Sequence, residues 1–474
     1  MKPSLNKLLL FALTAGAVHF PAPQAGAFSL VGPFDGYQVA NLNYNRTVGV
    51  LPTRNPRLGD LGGPQNLGEE YRRNVGGLFY AFDYAFLDFF GQRGIVEVDK
   101  AVKILNDLPA FSTMSEDLSE FPLETQRVNY RAGALGLVDL KSYTMGLLLE
   151  QLGLLSPHQY AWNLRNRQPI PPDLPCPFFD FWVVRRNFDP VTWEPTSYIN
   201  GALYTFAIET SCPPGQDVQD AAEVPVDPLA FNWSAVAEND GYVIGGFYSG
   251  LTRDDIGGLR YLYRKNNFNY EPVPANVFGG TSGGGSPWSP VDPTITNQPI
   301  SGISLTMGGI DKLKFTKVYF DGLLGQTFTA VSNSYSVPVA VDVQTGTSID
   351  GGGDLNIQVE QLRVTRLAVF PDIVFSATDQ LDGGVTRTAP AYTRSTQLQV
   401  NNGPGIMDNS LTIAFNKIGP YVVGSLTPTT PFVSEANSLQ RFRFGAFDGS
   451  TNPPVIFPSG ASIKELERIY FGGN

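Results

Sequence analysis

Histidine is the scarce residue in this chain. Of 474 residues only two are histidine, His19 and His158. A catalytic zinc site typically takes three protein ligands, mostly histidine, and leaves a fourth position to water. His19 falls in the leader segment described below, so one imidazole is left for the mature chain. Two cysteines, Cys176 and Cys212, complete the set of soft ligands. One histidine and one bridged cysteine pair cannot build a histidine-based zinc site, so neither a metal nor another cofactor is expected. A Ser-His-Asp triad would have to use His158. That residue follows Pro157 at a helix exit, and the chain has no G-x-S-x-G elbow. His158 therefore reads as a surface or capping residue.

Carboxylates can act without histidine. A glycosidase needs two acids on opposite sides of a cleft. By residue type Asp83, Asp88, Glu124, Glu150, Asp180, Asp189 and Glu194 are candidates. Spacing does not pair them, and each also reads as a cap, a surface charge or half of an ion pair. Asp350-Gly351-Gly352-Gly353-Asp354 could offer oxygens to Ca²⁺, but it matches no full calcium loop and reads as a flexible turn. The sequons at Asn45 and Asn232 carry little weight in a bacterial-type protein.

One stretch has the spacing of a metal helix with the ligands replaced. Asp139-Leu140-Lys141-Ser142 leads into Gly146-Leu147-Leu148-Leu149-Glu150-Gln151-Leu152-Gly153-Leu154-Leu155-Ser156. It resembles the H-E-x-x-H-x-x-G-x-x-H zinc helix of matrixin-type metzincin proteases. In that register Gly146, Glu150 and Ser156 stand where the three zinc histidines would be. Leu147 stands where the general-base glutamate would be, and only Gly153 and the apolar positions match. Leu251-Thr252-Arg253-Asp254-Asp255-Ile256-Gly257-Gly258-Leu259-Arg260-Tyr261-Leu262-Tyr263 resembles the closing helix of the same domains. The strand at Leu78–Phe82 and the helix after it resemble their opening. The resemblance spans about residues 75–265, with a long insertion, and no methionine lies between Met145 and Met307 to make a Met-turn. It implies a metzincin-like fold that has lost its zinc. The alternative is an ordinary amphipathic core helix, and on either reading zinc-protease chemistry is gone.

These residues need elements to position them. Residues 28–75 read as irregular and polar, and Leu78–Phe82 as a strand. Val96 to Leu108 reads as a helix from apolar positions spaced by three and four. Ser115 to Glu120 reads as a polar turn. A stronger helix runs from about Leu140 to Leu155 and is stopped by Pro157. Phe178 to Val184 is a strand. Asn200-Gly201 between apolar flanks is a hairpin signal, and a strand pair is expected around Tyr242 to Tyr248. Asp254 to Arg264 is a helix that Thr252 can cap, with Asp254 and Asp255 suiting the positive end of its dipole. Residues 272–300, rich in Pro and Gly, read as a linker. Beyond it Leu355, Ile357 and Val359, then Leu362 and Val364, then Leu367 and Val369 alternate with phase slips that suggest bulges. Leu411, Ile413 and Phe415 form another strand. The expected plan is a signal peptide over 1–27, an α+β N-terminal domain over 28–271, the linker, and an antiparallel β-sandwich over 301–474.

The leader sets the compartment. Lys2 and Lys7 precede the apolar run Leu8–Val18, and Ala25-Gly26-Ala27 forms an A-x-A site, predicting a mature start at Phe28. That run is too short for a membrane-spanning helix of about 20 residues, and no later stretch could span as a helix. Loss of 1–27 takes two lysines and no acids, moving the formal charge from −11 to −13. So acidic a chain repels nucleic-acid phosphates. With 50 glycines, 37 prolines and only 16% charged residues, the composition fits turn-rich extracellular β structure. The expected role is structural or adhesive, secreted or at the cell surface, with an extracellular protein or glycan as partner. The rival is a carboxylate hydrolase acting on polysaccharide. In an oxidising compartment Cys176 and Cys212, each beside a proline, should form a disulfide. Closing this loop stabilises by about 3–4 kcal/mol in the chain-entropy model. Alkylation of the unreduced, secreted protein should find no free thiol, and labelling of both cysteines would refute the bridge.

Overall fold

The computed structural model describes residues 26–31, 67–68, 70–159, 161–170, 178–209, 220–227, 244–273, 276–280, 298–299, 304–321, 328–343, 356–379, 385–387, 392–394, 405–407, 411–417 and 443–458. Cys176, Cys212, the leader up to Ala25, the two sequons and the Asp350–Asp354 loop lie outside them. Helices and strands are both present, with antiparallel sheets. Among the described residues no helix is long and apolar enough to cross a membrane.

A five-stranded sheet organises the core. Its order is Lys314–Lys317, Gly77–Phe82, Ile373–Thr378, Leu411–Asn416, Val385–Arg387. The first three contacts are parallel and the last is antiparallel. Ile373–Thr378 reads as an unbroken apolar run and is buried over five of its six residues, the pattern of a central parallel strand covered on both faces. The long helix Tyr84–Asn106 packs on this strand, with Asp83 as its N-cap accepting from Phe86 N–H at 2.9 Å. It begins about three turns before the expected Val96, at Tyr84, and Gly91, at φ 59°, breaks it into two segments. Phenylalanine joins helix to sheet. Phe82–Phe86, Phe86–Phe90 and Phe82–Phe375 ring centroids lie 4.8, 4.7 and 5.5 Å apart. Phe90 meets Phe457 at 5.2 Å and Phe415 meets Phe444 at 5.6 Å.

The second large sheet has the order Asn269–Pro272, Ser304–Met307, Val331–Val343, Asn356–Ala368, Val277–Gly280, Gln298–Pro299. Val331–Val343 and Asn356–Ala368 pair over thirteen consecutive residues without a shift in register, so the expected bulges are absent there. The phase slips have another cause. Leu362 and Val364 face inward, Val359 lies exposed on the opposite face, and the inner position after Val364 is taken by Arg366. Arg366 is 6% exposed and pairs with the fully buried Asp372. A buried arginine looks like an interruption in the apolar pattern, but the strand runs through it.

The sheets interleave what the sequence divides. Gly77–Phe82 lies between strands from residues 314–317 and 373–378. Leu137–Asp139 pairs with Arg443–Ala446, and Tyr71–Arg72 with Gly405–Met407. Parts of 272–300 are themselves strands, at Val277–Gly280 and Gln298–Pro299. A boundary at 272–300 thus does not leave two units that pair only within themselves, and the strands after it do not form a separate antiparallel sandwich among the described residues. A cut inside 281–297 should therefore leave one particle: the nicked chain should co-elute in size-exclusion chromatography and separate only in denaturant. Two independently eluting fragments would restore the two-domain plan.

Local signals are met closely elsewhere. Asn200 and Gly201 both take positive φ, 46° and 83°, the requirement of a two-residue hairpin. They join Tyr198–Ile199 to Ala202–Glu209. Phe178–Val184 is a strand, and Gly246–Tyr248 pairs with Gln126–Val128. Residues 28–75 depart from the irregular reading where they are described: Phe28–Leu30 and Tyr71–Arg72 are strands.

Candidate site around the central helix

The central helix runs Leu140–Gln151. Asp139 caps it, accepting from Ser142 N–H at 3.0 Å. Leu140 and every residue from Tyr143 to Gln151 are buried. A helix buried on all sides has no face left to line an open cleft. Gly146, Leu147 and Glu150 are all inside; Leu147 is 2% exposed and Glu150 1%. The helix ends four residues before the expected Leu155, because Gly153 takes φ 103° and turns the chain away. Leu152 and Gly153 N–H close the last turn onto Leu149 and Glu150 carbonyls, at 3.0 Å each. A Cβ at Gly153 would lie 2.6 Å from the carbonyl oxygen of Tyr71, so only glycine fits. Leu154–Leu155 then becomes a strand paired with Phe28–Leu30, and Ser156 follows, 3% exposed, with its hydroxyl buried.

The exit of this helix is held by residues that the sequence does not mark. Arg73 is fully buried and its Nε donates to the Gln151 carbonyl at 2.7 Å. Tyr263 Oη donates to the Leu152 carbonyl at 2.7 Å and accepts Arg73 N–H at 3.3 Å. These satisfy carbonyls that no further turn of helix can use, and the guanidinium suits the negative end of the dipole. Burial pushes the Tyr263 phenol up to about 12, so it stays protonated as a donor. The adjacent Arg72 is also buried and reaches Glu271 at 2.8 Å. Two successive arginines after an acidic pair, Glu69-Glu70, were the available signal, but they look like surface charge.

The other candidates are dispersed. His158 is buried, 7% exposed, with its ring edge-on to Tyr204 at 5.8 Å. It lies in the short turn Pro157–Gln159; the surface reading is wrong because the hairpin at Asn200 folds over it. Asp83 is the cap already described. Asp189 holds a turn by accepting from Val191 and Thr192 N–H, at 2.9 and 2.8 Å. Asp88, Glu124 and Glu194 are exposed, Glu150 is buried, and the side chain of Asp180 lies outside the described residues. Among the described residues there is no group of three or more His, Cys, Asp or Glu side chains arranged to hold a metal ion. An apolar cavity of about 10 Å³ beside Leu152 and Leu259 holds no more than one water.

Comparison with protein-family models, with curated proteins and with solved structures finds no match for this chain.

Two outcomes test this arrangement. Gly153→Ala should cost about 2 kcal/mol or more, from the left-handed φ and the collision with Tyr71; an unchanged denaturant midpoint would contradict the geometry. Asp139 is buried, and burial pushes its carboxyl up to about 6 against the opposing pull of Lys141 and Ser142. Its folded value lies above the unfolded value of about 3.9. The folded state then holds the proton more tightly, and stability falls as pH rises from about 4 to about 6. Asp139→Asn keeps the cap and removes the titration. The stability of the natural protein relative to this variant should decline across that window, and a flat difference would contradict the shift.

Proposed function

We propose that this is an exported, non-catalytic protein with a structural or adhesive role, secreted or at the cell surface, and a zinc-less relative of metzincin proteases. The observation that carries the reading is the burial of Gly146, Leu147, Glu150 and Ser156. In a working zinc helix, positions one turn apart share a face that opens to substrate and water. Here that face would offer a hydrogen and a carboxylate, with a leucine where a base should take a proton from water. Three further features support the resemblance: the turn at Gly153, the capping box Thr252–Asp255, and the strand–helix opening at Gly77. Export rests on the leader sequence.

Contact with an extracellular protein or glycan would use an exposed apolar surface. The hairpin after Asn200 offers one, with Tyr198, Leu203 and Phe206 each more than a third exposed and Trp162 5.2 Å from Phe206. Aromatic side chains supply large contact area with few rotatable bonds. The rival polysaccharide hydrolase needs two acids facing each other across a cleft; of its candidate acids, Asp83 caps a helix, Asp189 holds a turn, Glu150 is buried, and Asp88, Glu124 and Glu194 are exposed.

Elemental analysis of the dialysed protein tests the reading directly. Less than stoichiometric zinc, no peptide cleavage and no release of reducing sugar are expected. About one tightly held zinc per chain, or turnover of either substrate class, would overturn it. The variant with Gly146→His, Leu147→Glu, Glu150→His and Ser156→His tests the relationship, since a metzincin backbone should gain zinc affinity from it. No gain in a variant that still folds favours the plain core helix.

A further inference from the structure

The edge strand Lys314–Lys317 is finished by side chains rather than by another strand. It ends the five-stranded sheet and pairs in parallel with Gly77–Phe82. Just past it, Val318 N–H donates to the Tyr80 carbonyl at 2.9 Å. Along a strand, successive residues turn their backbone groups to opposite sides. Lys314, Thr316 and Val318 therefore face Gly77–Phe82, and Leu313, Phe315 and Lys317 face outward. An outward row of this kind is a template for another chain.

Phe315, at the centre of that row, is already taken. Its N–H donates to Asn106 Oδ1 at 2.7 Å, and its carbonyl accepts from Asn106 Nδ2 at 2.9 Å. A carboxamide carries the acceptor and donor of a peptide group, so Asn106, the last residue of the long helix, stands in for one residue of a missing strand. Two more ties flank it. On one side Phe111 N–H donates to the Asp311 carbonyl at 2.8 Å, and Ser112 N–H and Oγ donate to the Asp311 carboxylate at 2.8 and 2.7 Å. On the other, Asp99 of the same helix pairs with Lys317 at 2.5 Å. Between Asn106 and Phe111, the residues Leu108, Pro109, Leu313 and Phe315 share the small apolar cavity described above. Pro109 has no N–H and Phe111–Thr113 is a 3-10 turn, so this segment covers the edge without extending the sheet.

We propose that Asn106 is an autoinhibitory lock on this edge: its carboxamide keeps Phe315 closed to strand addition, and the occupant it excludes is the same edge of a second copy of this chain. The edge is self-complementary. An antiparallel pairing of two copies centred on Phe315 brings outward groups to outward groups. It sets Lys317 opposite Leu313 and Lys314 opposite Thr316, so no lysine stands directly opposite a lysine. Lys312 and Lys314 are exposed. Their like charges meet only diagonally across such a pairing, which makes them a second, weaker guard that salt can screen. The carboxamide is the stronger guard, because it occupies the donor and acceptor that the pairing would need.

Amide hydrogen exchange reads the lock in the natural protein. The Phe315 N–H points away from its only neighbouring strand, yet it should exchange at least about tenfold more slowly than in the unfolded chain. Asn106→Ala removes the carboxamide. Provided its circular dichroism matches the natural protein, it should dimerise in sedimentation at concentrations where the natural protein does not. Adding Lys314→Thr should tighten that dimer by about twofold or more, the factor for one like-charge contact across strands. Adding Lys317→Pro should abolish it, since proline removes an outward N–H and leaves the pairing with Gly77–Phe82 alone. Should Asn106→Ala fail to fold, Asn106→Asp, which keeps the shape but loses the donor to the Phe315 carbonyl, takes its place under the same criteria. A freely exchanging Phe315 amide would overturn the lock. So would a folded variant that stays monomeric in high salt with Lys314→Thr, or a dimer that survives Lys317→Pro.

Discussion

The carboxylate of Asp372 is the junction on which the core depends. It is fully buried. One oxygen accepts Phe79 N–H at 2.8 Å and Arg366 Nη1 at 3.1 Å, and the other pairs with Arg366 Nη2. Its backbone N–H donates to the Phe79 carbonyl and its carbonyl accepts from Leu411 N–H, at 2.8 and 2.9 Å. Arg366 also reaches the Gly77 carbonyl at 3.3 Å. One residue, through its side chain and its backbone, thus ties together strands from residues 77–82, 356–368, 373–378 and 411–416. Removing one partner of such a buried pair costs about 3–5 kcal/mol, since the other charge is left stranded. The pair contributes less by its net attraction than by register. It fixes where the Gly77 strand enters a sheet otherwise made of residues 314–317, 373–378, 385–387 and 411–416, and the long helix and its phenylalanines are placed by that entry.

From this entry the central helix inherits its enclosure. It packs on the long helix and against Arg443–Ala446, with Tyr143 meeting Phe444 at 5.3 Å. Its exit is closed by Arg73, Tyr263 and the Phe28–Leu30 strand.

What the sequence made legible is what local physics decides. The Asn200-Gly201 turn, the Thr252 cap and the Phe178–Val184 strand each need particular residue types locally, and each was readable; the central helix was expected to run to Leu155 and stop at Pro157, whereas Gly153 ends it earlier. Interleaving was not readable, because pairing between residues 77–82 and 373–378 leaves no local trace. The Pro and Gly of 272–300 read as a linker, yet Val277–Gly280 and Gln298–Pro299 within that stretch are strands of the second large sheet. Buried charge misled most. Arg366 on an inner face mimics a phase slip, Arg73 mimics a surface residue, and Asp254 mimics an ordinary helix-dipole acid. His158 was read as outer for the same reason: polar residues are assigned to the surface by default, and only tertiary partners reverse the assignment.

The strand Phe28–Leu30 closes the sheet edge beside the glycine bend. Proteases commonly hold peptides by adding a strand to an exposed sheet edge. Here the short strand that leaves the central helix is paired with Phe28–Leu30, and that strand is paired on its other side with Asn187–Phe188. Val31 N–H donates to the Gly153 carbonyl at 2.7 Å and the Val31 carbonyl accepts Tyr71 N–H at 2.8 Å. The backbone groups beside the glycine bend are therefore spent on the chain's own N-terminal segment. A peptide arriving at that edge would have to displace three buried residues, Phe28, Ser29 and Leu30. Burying two such apolar side chains is worth about 1.5–3 kcal/mol each, before the ladder hydrogen bonds are counted. The strand Phe28–Leu30 and the exit of the central helix thus hold each other's backbone groups beside the same glycine.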